Sequence, residues 1–302
     1  MRTNARLVAS LKNQKGFRLA AMVSSHAAVV FLVAASSLAA VALSQGEANK
    51  KTAAEYSYVA GSKLGPENWG KLSPEYKLCG EGKKQSPIAI VAKQATPNPT
   101  LDSLNRTYNA ADGTLVNNGK DVMMTFEPGK VGTVTVSGKV YSFKRVNWHA
   151  PAEHIIHGVR HPLELHLVHA AADGSLAVIA ILYKFGAPDS FYFQLKKKLA
   201  ELAADKCNFG EDDSQAALGL VHMRSLQKRT GSYFRYVGSL TAPPCTENVV
   251  WNVLGKIRQI SKEQVGLITT LLPAGNARPP QPLNGRTVQF YNPPNSTISF
   301  EM

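Results

Sequence analysis

The chain has 302 residues, 44% hydrophobic and 18% charged, which suits one large globular domain with an ample core. Formal net charge is +13, and five of those charges (Arg2, Arg6, Lys12, Lys15 and Arg18) lie in the first 44 residues, which hold no acid. No basic run, Gly-Arg tract or aromatic-basic interleaving follows, which argues against a nucleic-acid partner and leaves a generally cationic surface.

Residues 1–44 read as a signal peptide. A basic stretch leads into the apolar run Ala27 to Leu43, and Ala42 and Ser44 fit the −3 and −1 positions of a cleavage site. The run is long for a signal core and near the lower limit for a spanning helix, so an uncleaved anchor is the alternative. After cleavage no integral membrane partner is expected. Three cysteines, Cys79, Cys207 and Cys245, fit the secretory route, most simply as one disulfide and one spare thiol. Asn105-Arg-Thr and Asn295-Ser-Thr are glycosylation sequons.

Residues 45–55 form a polar leader, and 56–302 form the folded domain. From Tyr56 the chain is punctuated by Gly and Pro and is expected to wrap the surface before the first core strand. Short β-like runs follow at Thr114–Asn118, Asp121–Glu127, Gly132–Gly138 and Val140–Val146, separated by turn dipeptides as in antiparallel hairpins. The stretch Tyr141–His169 holds two strand-like runs. Alternation puts Arg145, Asn147 and His149 on one face of the first, and Glu164, His166 and Val168 on one face of the second. Two neighbouring strands would thus aim Asn147, His149 and His166 at one point, the way a catalytic zinc site is built, except that one of the three is an amide.

Leu176–Tyr183 is a continuous apolar run expected as a buried central strand. Asp189–Lys206 has helical spacing at Phe191, Leu195, Leu199 and Leu202. Ser261 with Gln264 three residues later makes a capping box that starts a helix reaching Leu272. The tail returns to loop and one last strand. With no repeat and no internal linker, the class is mainly β: a single domain with a few peripheral helices.

Seven stretches carry a family resemblance. They are Gly65-Pro66-Glu67-Asn68-Trp69-Gly70, Gln85-Ser86-Pro87-Ile88, Asn117-Asn118-Gly119, Trp148-His149-Ala150-Pro151-Ala152-Glu153-His154, Glu164-Leu165-His166-Leu167-Val168-His169, Gly238-Ser239-Leu240-Thr241-Ala242-Pro243-Pro244-Cys245-Thr246-Glu247 and Asn276-Ala277-Arg278-Pro279. In order and spacing the chain resembles the α-class carbonic anhydrases, particularly the plant secretory ones. The resemblance implies a twisted, mostly antiparallel sheet with a conical pocket at its middle. It implies a disulfide between Cys79 and Cys245, leaving Cys207 free, and cis prolines at Ser86-Pro87 and Pro243-Pro244. It also implies the apoplast as destination, with the plastid by the secretory route as alternative.

The family's chemistry has a clear physical logic. Zinc on three neutral imidazoles keeps its double charge and lowers the pKa of bound water to about 7, making hydroxide available to attack carbon dioxide. By match, Thr241 backed by Glu153 would orient that hydroxide. Val168, Val178, Leu240, Val249 and Trp251 would form the apolar wall where carbon dioxide docks. Glu164 would accept the ring N–H of His166 and hold its orientation.

Three positions depart from the pattern. The ligands map to Asn147, His149 and His166, so one imidazole is replaced by an amide oxygen, a weak zinc donor. A glutamine usually supports that first ligand, and here Arg145 stands instead, with donors only. Lys120 stands where active members often carry a shuttling histidine, and an ammonium group holds its proton too tightly for that role at neutral pH. Lys120 is either a solvated rim lysine or a pocket amine for binding carboxylates or for imine chemistry. Zinc is therefore expected to be held weakly or lost.

These departures predict a pocket repurposed from carbon dioxide hydration to small-molecule chemistry. The candidate is the Mannich-like imine condensation that plant relatives without a full zinc triad promote in alkaloid biosynthesis, with Glu153 and His149 moving protons. The alternatives are a weakened zinc-dependent carbonate dehydratase and a non-catalytic storage or binding protein. A small molecule is the expected partner in each case.

Overall fold

The computed structural model describes residues 54–204, 214–227, 231–272 and 274–293. The expected signal peptide, the leader up to residue 53, Cys207 and the Asn295 sequon lie outside the described residues. Asn105 is exposed, as a glycosylation acceptor requires.

Among the described residues, thirteen strands join in one sheet. The ones that build the pocket are β1 (Ala111–Asn117), β2 (Val122–Phe126), β3 (Gly132–Val136), β4 (Lys139–His149), β5 (Leu163–Ala170), β6 (Leu176–Phe185), β7 (Ser214–Val221), β8 (Tyr233–Ser239), β9 (Glu247–Leu254) and β10 (Gln289–Tyr291). They run in the order β7-β1-β2-β4-β5-β6-β9-β8-β10, with Thr96–Pro97 at the far edge. The β1–β2 and β3–β4 hairpins are antiparallel, the second turning at Ser137-Gly138 as expected, and β2–β4 and β4–β5 pair antiparallel as well. Asp112-Gly113, expected as a turn, lies inside β1, where strand pairing overrides the dipeptide signal. Strand β6 is the central strand read from its apolar run. It pairs antiparallel with β5 and parallel with β9, and its middle is buried on both faces.

The two faces of β5 and β6 pack into separate cores. Leu163, Leu165 and Leu167 join Val146, Trp148, Ile179 and Ile181 on one side. Val168, Val178, Val249 and Trp251 gather on the other, beneath the pocket. Period-two alternation alone sorts these residues.

The helices are short and peripheral. At the helix Lys262–Thr269 the Ser261 hydroxyl accepts the Gln264 N–H, and the Gln264 side chain accepts the Ser261 N–H, the reciprocal cap read from sequence. The segment expected as one helix from Asp189 is two, Ser190–Phe193 and Lys196–Ala204. Hydrophobic spacing reports which face is buried, not continuity. The break falls where Gln194 turns to bond both backbone groups of His222.

Cys79 and Cys245 are bonded across 166 residues of sequence. Ser86-Pro87 and Pro243-Pro244 are cis, and so is Ala150-Pro151, which the sequence reading did not single out. No helix among the described residues is long and apolar enough to cross a membrane.

Candidate functional site

Strand register builds the site. In the antiparallel β4–β5 pair, His166 lies opposite Asn147, Glu164 opposite His149, and Val168 opposite Arg145. Directly opposed residues point to the same face, so one face of two strands carries all six side chains. The face opens into a cavity of about 290 Å³, floored by Arg145, Asn147, His149 and His166 and walled by Val168, Val178, Leu240 and Trp251. Val249 does not reach the cavity. It is buried behind the wall, against Val168 and Trp251.

Each histidine is locked by an acceptor. The Nδ1–H of His149 donates to the Asn276 carbonyl at 2.9 Å, because a carbonyl can only accept, and this leaves Nε2 as a lone pair. The Nε2–H of His166 donates to Glu164 Oε1 at 2.7 Å, leaving Nδ1 as a lone pair. Glu164 is a hub: Oε1 also accepts from His154 Nδ1 at 2.6 Å, and Oε2 accepts the backbone N–H groups of Glu153 and His154. Burial works against the Glu164 charge, but the His154 and His166 rings outweigh it and hold the pKa well below the usual carboxylate value. Burial in turn pushes His166 down to about 4, so its ring is neutral at neutral pH.

The first ligand position is built differently. Arg145 Nε donates to Asn147 Oδ1 at 2.8 Å. The amide oxygen that would face a metal is thus engaged by a guanidinium. Burial pulls the Arg145 pKa below its ordinary value while the Asp121 carboxylate opposes that, and an arginine stays charged at neutral pH.

Glu153 is fully buried. Oε1 accepts the Arg278 N–H at 2.9 Å, and Oε2 has no hydrogen-bond partner. The Thr241 hydroxyl favours the Glu153 anion. Burial raises the Glu153 pKa, with His149 pulling it down. Burial likewise works against the His149 cation, but the Glu153 and Asp121 charges and the Asn276 carbonyl outweigh it and raise its pKa.

A catalytic zinc needs three converging lone pairs. His149 and His166 offer one each. Asn147 offers an oxygen already bonded to a cation, which also repels a dication. Ligand atoms of His149, Glu153 and His166 lie within 4.8 Å of one another. The His149 atom nearest Glu153, however, is Nδ1, at 3.5 Å, the nitrogen committed to Asn276. The residues present do not fit a tightly held zinc.

Lys120 stands at the rim, where the Asn118-Gly119 turn has φ +77° at the glycine. Its Nζ lies 5.1 Å from the Tyr56 ring centroid and does not reach the floor. Sequence reasoning did not single out Asp121, Tyr56 or Met123, all of which line the cavity. Asp121 accepts from Tyr56 at 3.1 Å and Tyr58 at 3.3 Å. Its place directly after Lys120 was the one available signal.

The profile of the family described as eukaryotic-type carbonic anhydrase matches residues 64–292. An alpha carbonic anhydrase 7 of Arabidopsis thaliana is 38% identical over 260 residues, covering 85% of this chain and 91% of its own length. Dioscorin DB3L of Dioscorea polystachya is 39% identical over 241 residues, covering 78% of this chain and 86% of its own. The crystal structure of dioscorin complexed with ascorbate superposes with a TM-score of 0.75 at 38% identity, over 80% of this chain and 100% of that one. With these likenesses beside the strand-borne histidines and the disulfide, the chain belongs to the eukaryotic-type, α-class carbonic anhydrase family.

Proposed function

We propose that this protein is a carbonic anhydrase relative whose pocket acts on a small molecule without depending on tightly bound zinc. One observation carries the reading: Arg145 Nε holds the Asn147 carbonyl oxygen at 2.8 Å, so ligand and supporting residue have changed together. Second-shell support alone is worth about 10–100-fold in metal affinity. The secretory pathway is the proposed compartment, with residues 1–44 removed.

The finer reading is a Mannich-like condensation. An enolisable carbonyl compound would lose its α-proton to the lone pair on His149 Nε2. The α-carbon would bond to the imine carbon, and the proton would return to the imine nitrogen, so nothing is oxidised or reduced. Arg145 and the Thr241 hydroxyl would polarise the carbonyl, and the apolar wall would exclude water. Glu153, behind His149, would stabilise the imidazolium while it holds the proton. The test is product formation from an imine and a β-keto acid by chelator-treated protein. The expected result is a rate above background and an enantiomeric excess; equal rate and racemic product overturn it.

A second reading is binding or storage without turnover. The dioscorin relatives favour it, since one of them is solved with ascorbate. Ligand binding with no rate effect on any added reactant would support this reading over the catalytic one.

A further inference from the structure

Arg145 has more donors than its protein contacts use. Its Nε is committed to Asn147 Oδ1 at 2.8 Å, which aims the guanidinium across the floor. Among the described residues it has no other hydrogen-bond partner, and no carboxylate comes within ion-pair distance of it. Its two terminal nitrogens therefore belong to a side chain that lines the cavity with nothing to bond. Asp121 supports the Arg145 charge from beyond ion-pair distance, and a guanidinium brought part way out of water without a counter-ion in contact is costly unless a ligand completes it.

The surroundings say what ligand. The lone pair on His166 Nδ1 accepts and does not donate, so it offers an anion no grip. His149 has only Nε2 to offer, its Nδ1 being bonded to Asn276, and one nitrogen cannot make a two-pronged fork. The Asp121 oxygens are covered by Tyr56, Tyr58 and Asn276, and their charge steers an anionic group away from that wall. Among the described residues, Arg145 is the one permanent cation and the one guanidinium on the floor. Val168 lies directly opposite it in register, with Val178, Leu240 and Trp251 beyond. A volume of about 290 Å³ admits a small ligand only.

We infer that Arg145 makes this pocket a receptor for a small carboxylate with an apolar body, held by a planar fork of two N–H···O bonds and independent of metal. The inference rests on the metal-independent reading above and names its ligand class. The fork takes the carboxylate, the apolar body lies against the Val168–Trp251 wall, and Lys120 at the rim adds long-range attraction for the anion.

The test uses the full chain, freed of metal by chelator and checked for zinc, titrated calorimetrically with benzoate and with benzamide, its neutral isostere. Benzoate is expected to bind at least about tenfold more tightly than benzamide. Arg145→Met should abolish that preference while the thermal melt stays cooperative, and Arg145→Lys should keep part of it, because an ammonium supplies charge without the fork. Equal affinity for benzoate and benzamide, no binding of either, or an Arg145→Met variant that still prefers benzoate overturns the carboxylate inference. Benzoate binding that appears only after zinc is added back overturns the metal-independent reading itself.

Discussion

The floor of the pocket has two halves that differ in how their side chains are held. On the His149–His166 half, each ring donates to an acceptor fixed elsewhere in the fold: the Asn276 carbonyl for one, the Glu164 carboxylate for the other. On the Arg145–Asn147 half, where the family resemblance implies a glutamine and a histidine, a guanidinium donates to an amide oxygen and the two bond to each other. A metal ligand and its hydrogen-bonded support act as one physical unit. Changing either alone would leave a donor facing a donor or a ring without orientation. Changing both yields a satisfied pair that no longer serves a dication.

That contrast can be broken by rebuilding the altered half. The double variant Asn147→His with Arg145→Gln is expected to raise zinc affinity by more than about 100-fold and to bring carbon dioxide hydration up by orders of magnitude. Asn147→His alone should gain much less, since Arg145 cannot accept the new ring N–H. Metal titration and stopped-flow hydration read both, and equal gains from the single and double variants would refute the coupling.

The intact half should prove tied to stability. Glu164 accepts four hydrogen bonds while fully buried. Glu164→Gln sets an amide N–H against N–H donors and is expected to destabilise the fold by about 3–5 kcal/mol in urea unfolding. A cost near zero would mean that the hub is not under constraint.

Acid should weaken the same strand. His169, at the end of β5, is fully buried, and its Nε2 lies 2.8 Å from the Tyr108 hydroxyl. Burial pushes its pKa down to about 3. The unfolded ring titrates near 6.5, so between these values the unfolded chain binds the extra proton and stability rises with pH. The contribution is complete above about pH 6.5 and falls by up to about 1.4 kcal/mol per unit below it, or about 2 kcal/mol by pH 5. Urea unfolding at pH 7 and pH 5 tests this, and His169→Gln should lessen the dependence, leaving the part that His166 contributes with the same sign. A wild-type midpoint independent of pH over this range would contradict it.

The smallest effect should come from the altered half. Arg145→Gln removes one hydrogen bond from a partly buried side chain and should change stability by less than about 1 kcal/mol. A loss comparable to that of Glu164→Gln would erase the contrast between the halves.

Much of this architecture is legible in the sequence, because period-two alternation is local. It puts Arg145, Asn147 and His149 on one face, and Glu164, His166 and Val168 on another, before any partner strand is known. The capping box at Ser261 and the central strand at Leu176 are local signals of the same kind. What is not legible comes from distant chain or from side-chain direction. Asn276 reaches His149 across 127 residues of sequence, and nothing near either predicts the contact. Asp121 faces the cavity because the Tyr56 and Tyr58 hydroxyls meet it there. The sequence shows that Arg145 cannot support a histidine. That its Nε caps the Asn147 oxygen depends on a rotamer, which composition does not report. Val249 sits behind the wall for a similar reason, since an apolar residue fits either depth.

Zinc content is the most direct test of the central claim. The protein would be purified without chelator, equilibrated with micromolar zinc, dialysed and analysed by mass spectrometry for metal per chain, with sulfonamide-sensitive hydration measured on the same sample. The account predicts well under one zinc per chain and no sulfonamide-sensitive activity. One tetrahedrally held zinc per chain, retained through dialysis and hydrating carbon dioxide briskly, would contradict it.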